Sequence, residues 1–133
     1  MREIVLDTET TGLNPATGDR IVEIGCVELI NHLPSGETYH QYINPERPMP
    51  EEAFAIHGLS DEFLADQLPM GDVAEAFLEF IGDAPLVIHN ADFDMRFINA
   101  ELTALDRPVL PKTRAIDTVT MARSAFPGAA ASL

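Results

Sequence analysis

The hydrophobic period of this chain changes after the segment Asn44 to Pro50, and that change restricts the fold more than any single motif does. Before it, apolar residues come in strand-like runs. Glu3 to Asp7 is short and apolar, as in a strand covered on both faces. Arg20 to Ile30 is long and mostly apolar, interrupted by Glu23 and Glu28. The segment "NHLPSG" predicts a turn and Glu37 to Ile43 a third strand, completing an antiparallel meander. After the change, Asp72 to Ile81 places Val73, Phe77 and Ile81 on one helical stripe. Asp72 is placed to cap it, Glu75 follows three residues on, and Gly82 suits the exit. Pro85 to His89 reads as a buried strand, and Asp92 to Leu105 as a helix capped by Asn90 and closed by Pro108. Ala115 to Asp117 reads as a short strand, and Thr118 to Ala125 as the start of a third helix. The order β-β-β-α-β-α-β-α predicts an α/β fold with a mixed sheet.

The chain has 133 residues, of which 46% are hydrophobic, enough for one domain with its own core. Its single cysteine, Cys26, excludes an internal disulfide and reads as a small core residue. The N-terminus carries charge and runs straight into a strand, unlike a secretory signal. No apolar run approaches the ~20 residues of a membrane span. A cytoplasmic protein with no membrane partner is expected. With 22 Asp+Glu against 8 Lys+Arg, the net charge of −14 argues against a long contact with a polyanion. A small contact, in which metal ions carry the positive charge, remains open.

Chemistry is suggested where two of the strands end. Ile4-Val5-Leu6 stops at Asp7, and Glu9 follows two residues later, so the two carboxylates share a face if the strand continues. They read either as solvated residues after a strand or as ligands to a hard divalent cation such as Mg²⁺. Thr10 and Thr11 offer hydroxyls nearby, and Gly12 permits a tight turn. In "VIHNADFDMRF", Asp92 and Asp94 both fall in the first turn of a helix, where the dipole favours carboxylates. Helical geometry separates them. Asp94 shares a face with Phe97, Ile98 and Leu105, whereas Asp92 shares the opposite one with Arg96, Asn99 and Thr103. Glu101 is also on the inner face, but about 10 Å further along the axis. That is too far to share a metal pair about 4 Å across, which leaves it a hydrogen bond to a neighbouring segment. Were the strands ending at Asp7 and His89 parallel neighbours, Asp7, Glu9 and Asp94 would converge at their carboxyl ends. Two divalent ions held there could hydrolyse a phosphodiester.

Three stretches, "LDTETTGL", "FAIHGLSDEFL" and "VIHNADFD", resemble the DEDD exonuclease superfamily in order and spacing over essentially the whole chain. The resemblance is to the DEDDh type, in its proofreading branch. It implies a ribonuclease H-like mixed β-sheet flanked by α-helices, two Mg²⁺ or Mn²⁺ ions, and 3′→5′ removal of nucleotides from a single-stranded or frayed DNA end. The implied partner is the polymerase catalytic subunit of a bacterial replicase. Carried over by position, Asp7, Glu9 and Asp94 are the catalytic metal ligands. Glu52 and His57 match positions that touch the terminal nucleotide, and Thr10, Leu13, Ile56, Asn90 and Phe93 lie in stretches that hold the 3′ end. Without the family, His57 reads as a helix-entry or loop histidine. His32 and His40 read as surface residues, and Asp117 as a cap or hydrogen-bond acceptor. The family's third motif, a histidine base and an aspartate five residues apart, is not found. His89 and Asp94 share that spacing but straddle the second motif. Residues 1–133 therefore read as a single exonuclease domain, C-terminally incomplete, its last helices missing and its own activity nearly absent. The alternatives are an RNA exonuclease of the same superfamily and a non-catalytic fragment that binds nucleic acid or a polymerase. A phosphatase with Asp7 as nucleophile fits less well, because Lys112, the only lysine, lies in a Pro-flanked loop.

Overall fold

Five strands form one mixed sheet in the order β3-β2-β1-β4-β5, and this order places the ends of two parallel strands side by side. The structure is a computed structural model and describes residues 1–118. Strand β1 (Arg2–Thr10) pairs antiparallel with β2 (Ile21–Ile30), which pairs antiparallel with β3 (Leu33–Tyr42). On its other edge β1 runs parallel to β4 (Leu86–Ile88), and β4 parallel to β5 (Ala115–Asp117). Helices α1 (Glu51–His57), α2 (Asp61–Ala65) and α3 (Met70–Ile81) precede β4, and α4 (Ala91–Ala104) follows it. The mixed α/β architecture is the one the order of hydrophobic periods predicts.

The elements differ from the sequence expectations in detail. Strand β1 runs on to Thr10 rather than stopping at Asp7, because β2 continues to pair with it past the apolar run. The expected turn "NHLPSG" shrinks to Asn31 and His32, both at positive φ (51° and 70°). Two such residues make a tight hairpin whose twist matches the flanking strands, so Leu33 to Gly36 already belong to β3. Helix α3 begins at Met70 with Pro69 at its N-cap position, so Asp72 lies in the first turn and caps nothing. Its final carbonyls are covered by two distant arginines, Arg2 from β1 and Arg114 from the turn just before β5. Arg2 donates to Phe80 and Ile81, and Arg114 to Ile81, Gly82 and Ala84, which suits the negative end of the helix. Helices α1 and α2 follow from no strong apolar period in the sequence, being only seven and five residues long. Of the expected helix Thr118 to Ala125, all but Thr118 lies outside the described residues.

One core fills the sheet's covered face. Phe77 and Ile81 of α3 and Phe97, Ile98 and Leu102 of α4 meet Ile4, Leu6, Ile24 and Ile88 of the strands, all nearly free of solvent. Cys26 is buried among them. Among the described residues, no helix is long and apolar enough to cross a membrane.

Candidate active site

Alternation along β1 decides where its polar end points. Ile4, Leu6, Thr8 and Thr10 are buried, while Val5 and Asp7 face outward and Glu9 is half-buried. Asp7 and Glu9 thus share a face, and Thr8 turns to the opposite one. Glu9 lies directly across from Glu23 of β2, and the register slips immediately after it. Such a bulge re-aims the chain leaving a strand. Parallel pairing of Ile4 with Leu86 and Val5 with Val87 brings the end of β1 beside the end of β4. Helix α4 starts there.

The start of α4 is built differently from the sequence expectation. Asn90 occupies the N-cap position but adopts a left-handed conformation, φ 61° and ψ 57°, and its side chain caps nothing. The cap is supplied from β5. The Asp117 carboxylate accepts the N–H groups of Asn90 and Ala91, each at 3.2 Å. Asp94 and Phe97 then face the interior, and Asp92 faces solvent, as helical spacing requires.

Asp94 is only 5% exposed. Burial, with the nearby Asp7 charge adding to it and Glu9 contributing less, pushes its carboxyl up to about 7. The Thr8 hydroxyl opposes this rise, yet that hydroxyl is itself buried without a well-formed hydrogen bond. Glu9 is raised too, by burial and by Asp7. Asp7 therefore lies close enough to Asp94 and Glu9 for its charge to disfavour their ionisation. They do not form a finished coordination shell: among the described residues, no three His, Cys, Asp or Glu side chains are grouped so as to hold a metal ion. The donor set fits a hard divalent cation in kind, since it consists of oxygens alone and carries negative charge that a cation would relieve.

Glu9 also borders a cleft of about 600 Å³ between the β1–β2 loop and α1. Glu52, His57, Thr10, Leu13, Ile56 and Phe93 line it with Glu9. Leu13 and Ile56 are 77% and 80% exposed, two apolar side chains held in water at the cleft. His57 is held through both ring nitrogens. Leu59 N–H donates to Nδ1 and Nε2 faces the Thr10 carbonyl, each at 3.1 Å. Since Nδ1 accepts, Nε2 carries the hydrogen that reaches Thr10. Asp7 lies outside this cleft, in a smaller recess with Glu9 and Glu23. Asp94 and Asn90 are likewise not part of the cleft wall. Glu101 accepts from the Arg20 guanidinium at 2.7 Å and from Ile21 N–H at 3.1 Å, tying α4 to the start of β2. His32 and His40 are at the surface, each beside a glutamate. Sequence reasoning missed Asp19, which folds back over the β1–β2 loop. Only the tight turn at Gly12 hints at it.

The exonuclease family RNase_T matches residues 4–133. The chain is 55% identical over 131 residues to DNA polymerase III subunit epsilon of Rickettsia felis, covering 96% of this chain and 57% of that protein. It is 44% identical over 140 residues to the Escherichia coli K12 protein of the same name, covering 99% and 57%. The chain thus spans less than two thirds of the curated relatives it matches. Among solved structures it resembles exonuclease X in complex with 5′ overhanging duplex DNA, at 30% identity and a TM-score of 0.75, covering 98% of this chain and 68% of that one. Exonuclease I, at 16% identity and a TM-score of 0.82, covering 94% and 30%, shares the fold. That fold is the ribonuclease H-like one.

Proposed function

This chain belongs to the exonuclease family RNase_T, and on that premise we propose that it is the core of a proofreading 3′→5′ exonuclease acting on DNA ends. It works in the cytoplasm beside the catalytic subunit of a bacterial replicase. Similarity to subunit epsilon of DNA polymerase III supports the polymerase partner. Residues 1–133 are read as a single exonuclease domain. What supports the proposal most is that Asp7 and Glu9 lie near enough to Asp94 to raise its carboxyl, with Glu9 also bordering a cleft that carries the exposed Leu13 and Ile56.

Asp7, Glu9 and Asp94 would hold two divalent ions, Mg²⁺ or Mn²⁺. Bound there, the ions would activate a water and stabilise the leaving oxygen of the phosphodiester. The chain's own groups do the rest. Leu13 and Ile56 flank the terminal base and sugar, and their exposure in the free chain is surface that a nucleotide covers. Glu52 accepts a hydrogen bond from the terminal sugar. Phe93, at the mouth of α4, packs against the strand beside it, and Asn90 contacts the preceding phosphate or sugar. Thr10 and His57 fix each other, so the α1 wall keeps its height above the β1 end. His57 has both ring nitrogens engaged and positions the substrate rather than taking the water's proton.

Titration of Mn²⁺ followed by a deoxynucleoside monophosphate tests the site. Both should bind, and Asp94→Asn should weaken Mn²⁺ at least about tenfold, since an uncharged amide replaces an anionic donor. Release of nucleotides from single-stranded DNA with Mg²⁺, by a protein of the relatives' full length, tests the activity. An RNA strand in a parallel arm tests the substrate. Absence of metal binding in the wild-type chain would remove the proposal.

A further inference from the structure

The loop between β1 and β2 forms one wall of the cleft, and its shape depends on a side chain that lies at its far end. Asp19 folds back across the loop instead of pointing into solvent. Its Oδ1 accepts the Thr11 hydroxyl at 3.0 Å, and its Oδ2 accepts Asn14 N–H at 3.2 Å. Thr11 in turn accepts Arg20 N–H at 3.0 Å, which locks the two ends of the loop together. The approach to Gly12 is so close that a Cβ there would lie 2.3 Å from Asp19 Oδ2. A side chain at Gly12 would displace the Asp19 carboxylate, so Gly12 and Asp19 are sterically coupled. Arg47, from the segment leading into α1, pairs with Asp19 at 3.2 Å. One carboxylate thereby connects the strand-end loop with the chain that carries the opposite wall of the cleft. Leu13 lies between its two anchored neighbours, Gly12 and Asn14, and is held out in water by them.

We propose that Asp19 is the positioning residue of the cleft, fixing the Thr11–Asn14 loop so that Leu13 meets the base and sugar of a terminal nucleotide. The inference rests on the reading of the cleft as a nucleotide site and adds a residue that does not itself touch the metal ligands. An apolar side chain on a free loop would lose rotational and backbone freedom on binding. Asp19 removes that loss beforehand.

The test uses the 133-residue chain, Mn²⁺, and thymidine 5′-monophosphate as probe. Asp19→Asn should weaken nucleotide binding about five- to tenfold, the cost of losing one charge-assisted bond, with Mn²⁺ affinity within about twofold of wild type. Arg47→Met should weaken it about two- to threefold, as expected for a partly exposed pair. Gly12→Ala should weaken binding strongly in the wild type and by less than about twofold on an Asp19→Ala background, because the clash is gone. A purely structural role would instead lower Mn²⁺ and nucleotide affinity together. Should Asp19→Asn fail to melt cooperatively, Arg47→Met decides the matter. Wild-type nucleotide affinity in both variants would overturn the inference alone. A wild-type chain that binds Mn²⁺ but no nucleotide would overturn it as well, and one that binds neither would overturn the site reading with it.

Discussion

Asp94 couples stability to pH, and the sign follows from the direction of its shift. Its carboxyl is raised in the fold to about 7 from the 3.8 of a free side chain. The folded state therefore holds the proton more tightly than the unfolded one. Stability from this group is greatest below pH 4, declines as pH rises towards 7, and is level above that. The loss is on the order of a few kcal/mol for a shift of this size. Urea unfolding of the metal-free chain at several pH values should show this decline in the wild type and a flatter profile in Asp94→Asn. An equal slope in both would show that Asp94 is not the group responsible. Cys26 gives a second residue-scale expectation. Burial pushes its thiol up to about 12, so iodoacetamide at pH 8 should leave it unmodified in the folded chain and label it in urea, as read by mass spectrometry.

Two contacts hold the first and the last turn of α4, and each predicts a measurable loss. Asp117 replaces the cap that Asn90 does not provide. Asp117→Ala should cost about 1 kcal/mol in urea unfolding, the usual value for a lost cap. Glu101 is 3% exposed and engages Arg20 through both carboxylate oxygens. Glu101→Ala should cost roughly 3–5 kcal/mol, because a partly buried guanidinium loses its partner. A cost below about 1 kcal/mol would mean that water replaces the carboxylate freely. The elements themselves were unequally legible. Helix α4 declared its buried face through Phe97, Ile98 and Asp94, since a long periodic segment repeats its signal. Helices α1 and α2 complete barely one or two turns, too few for a period to stand out. Asn90 was misread as a capping side chain because its left-handed backbone, and a better acceptor in β5, are not visible from its neighbours in the chain.

At the scale of the whole molecule, a chain of net charge −14 places Asp7 and Glu9 near Asp94 at the carboxyl ends of two interior strands. Divalent cations should therefore stabilise it more where those carboxylates are ionised. Thermal unfolding with millimolar Mn²⁺ should show a larger rise in Tm at pH 8 than at pH 5, following the fraction of Asp94 ionised. A shift of equal size at both pH values would point to binding elsewhere on the acidic surface. The parallel contact between β1 and β4 is what brings the ends of these two strands together across some eighty intervening residues.

The sequence by itself determined the strands, the buried face of α4 and the residue types available for metal and nucleotide. These are local properties, set by period and by the chemistry of single side chains. Tertiary structure alone decided that Asp117 caps α4, that Glu101 anchors Arg20, and that Asp19 holds the loop beneath Leu13. The partners of Asp117 and Glu101 lie far along the chain, and those of Asp19 meet it only because the loop turns back on itself; hydrophobic period records neither kind of encounter.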